Sequence, residues 1–272
     1  MARLLKILWG KKTNSMNRSY ILGLLILLLS ADCFAQFDQR SMYKCYLGND
    51  KALWRKYITT ADWGKMDNKE RQRLLNYEYG YIAYAISAND KDVRQQLQNF
   101  NNHIASMQGK MPESTRMTYM SAAASYAVSI NKITMLTNGP KAYAYSEKAV
   151  ALDNTDPYAL TLRGSVYFYC PPAFGGDKKL ALDYLRKAEE RFRQTGDTID
   201  NWNYRSVQMV IAQCYEKTGD KNKAIDKCRL ILQEEPDYAY IRDCYLPELL
   251  GIKKPDSNNP NNVGASFIST IE

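Results

Sequence analysis

Three times in the middle of this chain one helical stripe recurs: Ala142, Ser146, Ala149; Ala181, Leu185, Ala188; and Ala224, Cys228, Ile231. Residues at i, i+4 and i+7 share one face of an α-helix, and small side chains there let a second helix approach closely. The copies begin 39 and 43 residues apart. A period of roughly 20–50 residues marks a supersecondary unit that cannot bury its own apolar face and is therefore stacked on further copies of itself. The expected fold is all-α, an α-solenoid of about five antiparallel helix pairs. Such a stack presents an extended surface for binding.

A second recurrence reinforces the first. Short polar turns carrying Asp-Lys precede several amphipathic stretches: Gly48-Asn-Asp50-Lys51, Ala88-Asn-Asp90-Lys91, Gly175-Gly-Asp177-Lys178 and Thr218-Gly-Asp220-Lys221. Aspartate suits a helix N-cap because its carboxylate accepts from the free amides of the first turn. A variant copy, Asn138-Gly139-Pro140-Lys141, places Pro140 where a first helical residue is expected. Between the turns Val93, Leu97, Phe100 and Ile104 form one stripe, and Tyr77, Gly80, Tyr84 and Ile86 lie near one face of the helix before it. No segment alternates apolar and polar residues as a half-buried strand does.

Residues 1–35 read as a secretory signal. Arg3, Lys6, Lys11, Lys12 and Arg18 precede the apolar run Ile21 to Leu29, and Ala35 offers a cleavage point. Nine apolar residues fall short of the ~20 that cross a bilayer core, and Asp32 before Cys33 departs from a lipidation motif. The expectation is an exported protein, periplasmic or envelope-associated in a Gram-negative bacterium, with no membrane span after cleavage. The whole chain carries a formal charge of +8, and without residues 1–35 the balance is 32 Lys and Arg against 28 Asp and Glu. No basic stripe able to neutralise a phosphate backbone remains, so nucleic acid is not an expected partner. The other cysteines, Cys45, Cys170, Cys214, Cys228 and Cys244, are odd in number and lack a disulfide-scaffold spacing; they are expected to fill small positions between helices, with a single bridge, Cys214 to Cys228 or Cys228 to Cys244, as the alternative.

Residues 111–250 resemble the tetratricopeptide repeat. Ile211, Ala212, Tyr215, Gly219, Asp220, Ala224, Cys228, Ile231 and Pro236 follow its ~34-residue pattern. The preceding unit has Gly164, Tyr167, Ala181, Leu185 and Ala188, but from Gly164 to Ala181 is 17 residues, where the repeat has about 12. Five extra residues therefore sit in that turn. Before it come Ala142, Ala149 and the inter-repeat turn Leu152 to Pro157, with a first helix expected within 112–136 around Ala122-Ala-Ala-Ser125. Residues 36–110 are similar only in their turns and in Gly80, as degenerate repeats, and residues 251–272 read as a flexible tail with a short apolar end that could lie along a groove. The Tyr-Gly-Tyr and Pro-Pro-x-Phe-Gly-Gly-Asp phrases are also found in exported tetratricopeptide proteins of Bacteroidetes.

The resemblance implies a concave binding face built from the first helix of each pair. With Gly80 and Gly164 as the small residue of their units, the family's contact positions fall on Leu74, Tyr77, Tyr81, Tyr84 and Ala85, and on Tyr158, Thr161, Ser165, Phe168 and Tyr169. Aromatic residues there would anchor a partner at low entropy cost. The irregular turn Cys170-Pro-Pro-Ala-Phe174-Gly-Gly-Asp177 carries Phe174 on a rigid loop. Either Phe174 plugs the end of its helix pair while Asp177 caps the next helix, or the loop lines a ligand pocket, as similar phrases in transporter-associated tetratricopeptide proteins imply.

No chemistry is legible. His103 is the single histidine and sits on an amphipathic helix; nucleophile elbow, zinc, phosphate-loop and Cys-x-x-Cys motifs are missing, and the carboxylates are spread over helix surfaces. No metal and no cofactor is expected. The sequence reads as a non-catalytic scaffold for a protein or peptide partner, with a small-ligand-binding component of an envelope transport system as the alternative.

Overall fold

The structure is a computed structural model describing residues 38–252. The signal at 1–35 and the tail beyond 252 lie outside the described residues. The chain divides into two compact units, Met1–Met42 and Tyr43–Glu272. Of the first, only 38–42 are described, and apart from the first residues of helix α1 everything below concerns the second.

Among the described residues the structure is all-α. The helices are α1 (Gln39–Gly48), α2 (Lys51–Thr60), α3 (Asn68–Ser87), α4 (Val93–Ser106), α5 (Glu113–Ile130), α6 (Met135–Leu152), α7 (Pro157–Tyr169), α8 (Lys178–Thr195), α9 (Trp202–Lys217), α10 (Lys221–Glu234) and the short α11 (Leu246–Leu249). Helices α3/α4, α5/α6, α7/α8 and α9/α10 pack as pairs, and α1/α2 join through a short turn with Tyr46 edge-on to Trp54.

The stripes that announce the repeat are the seams of these pairs. All nine of their residues, on α6, α8 and α10, are buried. Small residues act here as anticipated. The Ser121 hydroxyl on α5 donates to the Ala142 carbonyl on α6 at 2.6 Å, and a methyl added at Gly164 would lie 2.7 Å from Leu185 Cγ.

The polar turns divide into two kinds. Asp50 accepts from the Leu53 amide and Asp177 from those of Lys179 and Leu180, as capping requires. Asp90 and Asp220 correct the expectation. Asp92 takes the cap position of α4 while Asp90 binds Arg55 and the Tyr81 hydroxyl; Asp220 does stand at the cap position of α10, but its carboxylate holds Lys223 instead of a first-turn amide. Pro140 is also misplaced by the sequence reading, because α6 starts five residues earlier at Met135 and encloses it. A short 3-10 turn, Lys132–Thr134, feeds that start, with the Asn131 side chain accepting from the Ile133 amide. The carbonyl that Pro140 leaves unpaired belongs to Leu136, which is exposed and so open to water.

The first helices of successive pairs touch in the order α3, α5, α7, α9, forming an inner row. That row curls until its last member meets α1 and α2. Trp202 of α9 packs 5.7 Å from Tyr79 of α3, 5.6 Å from Trp54 of α2 and 5.7 Å from Tyr46 of α1, centroid to centroid. Arg205 donates to the Tyr43 hydroxyl, and the Tyr46 and Tyr238 hydroxyls hydrogen-bond across 192 residues of sequence. Gly80 makes this closure possible, since a methyl there would lie 2.6 Å from Trp54 and 2.9 Å from Trp202.

Candidate functional site

A curled row of helices encloses space on its inner side, and here that space is a cavity of about 570 Å³. Every first helix contributes to its wall: Tyr46 from α1, Tyr79 and Tyr84 from α3, Tyr126 from α5, Ser165 and Tyr169 from α7, and Trp202 and Met209 from α9. Second helices are nearly absent from it; only Lys51 and Trp54 of α2 and the segment Met135 to Tyr143 of α6 take part. Tyr238 and Tyr240 also line it. The buried stripes of α8 and α10 thus lie apart from the cavity, while that of α6 meets it at Ala142.

The wall is apolar and aromatic. Its hydroxyls are largely committed to the protein: Tyr126 donates to the Tyr79 carbonyl at 2.9 Å, and Tyr143 bonds the Tyr167 hydroxyl at 3.1 Å. Burial pushes the phenols of Tyr46 and Tyr79 up to about 12 and raises those of Tyr126, Tyr169 and Tyr238 as well. All are uncharged at neutral pH. No lining residue is a carboxylate, an arginine or a histidine. A molecule inside would meet rings, methyl groups and neutral hydroxyls.

Lys51 is the exception. It is the one charged residue among those that line the cavity. Its Nζ is buried without a hydrogen-bond partner and rests 3.5 Å from the centroid of the Tyr84 ring. Asp50, its neighbour in sequence, is turned to the Leu53 amide instead. Burial lowers the Lys51 pKa to about 8. Ring contact offsets only part of the desolvation of an ammonium, so this residue costs stability. Lys51→Met is expected to stabilise the protein at neutral pH by about 1 kcal/mol. Because the folded-state pKa lies below the unfolded one, the cost is fully present below pH 8 and shrinks as the pH rises above it. Thermal melts of the two proteins should converge from pH 8 upward; a constant gap would show that the ammonium is not the cause.

Of the residues the sequence put forward, the structure brings Tyr84, Ser165, Tyr169 and Phe174 together around the cavity. The others lie elsewhere. Tyr77 packs on Tyr57, and its carbonyl accepts from the Trp54 indole. Tyr81 donates to Asp90, and Tyr158 lies against Phe192 and donates to Asp197. Thr161 bonds back to the Pro157 carbonyl, and Phe168 is buried edge-on to Tyr169. His103 stacks on Trp63 at 3.9 Å and contacts Glu78 at 2.9 Å, away from the cavity. Cys45, Cys214, Cys228 and Cys244 are buried and Cys170 is partly exposed.

The irregular turn is built as a rigid hairpin. Pro171 O accepts from the amides of Phe174 and Gly176, and the Asp177 amide donates to Tyr167 O. Gly175 has a φ of +93°, and a methyl at Gly176 would overlap Cys170 O at 1.8 Å. Phe174 does not plug the helix pair. Its side chain is 54% exposed because the two prolines and two glycines carry the loop outward, where it forms part of the cavity rim.

No family model and no curated protein matches the chain. Among solved structures, the HusA haemophore from Porphyromonas gingivalis is similar, with 16% identity, a TM-score of 0.49, and 69% of this chain and 90% of that chain covered. No helix among the described residues is long and apolar enough to cross a membrane.

Proposed function

We propose that this protein is an exported, tetratricopeptide-like carrier or receptor that binds one small apolar, ring-containing molecule in its central cavity and performs no chemistry on it. The observation that carries the reading is the cavity itself. Its 570 Å³ falls in the ~300–1,000 Å³ range of small-molecule sites, and its aromatic lining suits a ring better than a charged or strongly polar solute. An extended peptide needs an open concave face along the first helices. Here the contacts of Tyr46 with Tyr238 and of Trp54 with Trp202 occupy the place where that face would open, which favours the small ligand over the protein partner. The envelope location rests on the signal-like residues 1–35.

The test is a titration with N-phenylnaphthylamine, a neutral apolar fluorophore, on wild type and Phe174→Ala. Phe174 stands exposed on the rim, so its removal should leave the melting temperature unchanged while weakening the probe by roughly five- to tenfold, as loss of an aromatic contact does. Equal affinity in the two proteins would remove the loop from the site. A folded wild type that takes up no probe would end the small-ligand reading.

A further inference from the structure

We propose that the ligand carries one carboxylate on its apolar body and that Lys51 is the residue that holds it. This rests on the cavity reading above and narrows it to a chemical class.

The argument is one of charge balance. The cavity wall holds a single charged group, and no carboxylate lines the wall to answer it. Its Nζ is buried and unpartnered among the described residues, lying on the face of Tyr84. An ammonium offers three donors and no acceptor, so a neutral apolar ligand that excluded the remaining water would leave a buried cation without a hydrogen bond. A cationic ligand would be repelled. A carboxylate supplies the missing acceptor and the missing charge together, forming the strong, charge-assisted kind of hydrogen bond. A second anionic group would find no second cation among the lining residues. The flexible four-carbon stem lets the ammonium turn from the Tyr84 ring toward a bound anion. Tyr84 then marks the resting place of the ammonium, and its position on α3 puts the ligand's charged end at the α2/α3 side of the cavity, with Trp54, Trp202 and Tyr126 left for the apolar body.

Two probes with the same ring system separate this from the cavity reading: pyrenebutyrate and its methyl ester, titrated by fluorescence into wild type and Lys51→Met, with melting temperatures confirming that both proteins are folded. Wild type should bind the acid at least about tenfold more tightly than the ester. Lys51→Met should lose that preference by weakening the acid alone and leaving the ester within about threefold. Equal affinity for acid and ester in wild type, or a preference that survives in Lys51→Met, overturns the carboxylate assignment while leaving the apolar site intact. Uptake of neither probe by folded wild type overturns both.

Discussion

Trp202→Ala is expected to cost about 3–5 kcal/mol of stability, the range for removing a large aromatic from a packed interior. It should also abolish binding of apolar probes. Trp202 is 7% exposed and meets three helices at once, through Trp54, Tyr46 and Tyr79. Its indole nitrogen donates to the half-buried Asn76 side chain at 2.8 Å, so the truncation also removes one hydrogen bond from an amide that keeps Asn203. The effect on binding follows from position, since the same ring fixes α9 against α3 and forms part of the cavity wall. Urea unfolding measures the first effect and N-phenylnaphthylamine the second. A loss under 1 kcal/mol with binding intact would mean that the ring contacts do not hold the curled row together.

Arg205→Met should cost nearly as much, about 2–4 kcal/mol. The guanidinium is 8% exposed and joins four groups: Tyr43 at 3.0 Å, Gln208 at 2.9 Å, Glu235 at 3.1 Å and Glu234. Methionine matches much of its length but leaves the buried Tyr43 hydroxyl and Gln208 amide short of a partner. Lysine should rescue little, because a single ammonium cannot reproduce a planar fork with four acceptors around it. Part of the effect is shared with Tyr43, so a double-mutant cycle of Arg205→Met with Tyr43→Phe should show a coupling near 1 kcal/mol. Additivity of the two would place the cost in Arg205's own helix hairpin rather than in the contact between α1 and α9.

The sequence made the stacking legible and the closure invisible, for a physical reason. Ala142, Ala181, Ala224 and their companions report contacts inside a helix pair, and these recur with the local period of the helix. Tyr46 with Tyr238, and Tyr43 with Arg205, join residues 192 and 162 apart. Such contacts depend on the accumulated curvature of the whole row, which no local window contains. The site was partly legible for the same reason. Tyr84, Ser165 and Tyr169 line the cavity from the inner face that the resemblance to the repeat gives each first helix. Tyr158 sits at the start of α7, before the helix reaches the cavity, and turns to Phe192 and Asp197. Tyr81 was claimed by Asp90, an aspartate that reads in sequence as a cap. Lys51 was visible only as half of an Asp-Lys turn, a pattern that normally faces water. Its burial is a consequence of Tyr84 lying under it, 33 residues away.

The central claim is that the cavity is a binding site for one small apolar molecule. It is tested most directly by titrating N-phenylnaphthylamine into wild type and into Ala83→Phe, which sets a ring on the α3 wall of the cavity and fills it from within. Wild type should saturate at one probe per chain, with energy transfer from Trp54 and Trp202, and the filled variant should remain folded and bind at least about tenfold more weakly. Saturation of both proteins with the same affinity and stoichiometry would place the probe elsewhere and contradict the assignment.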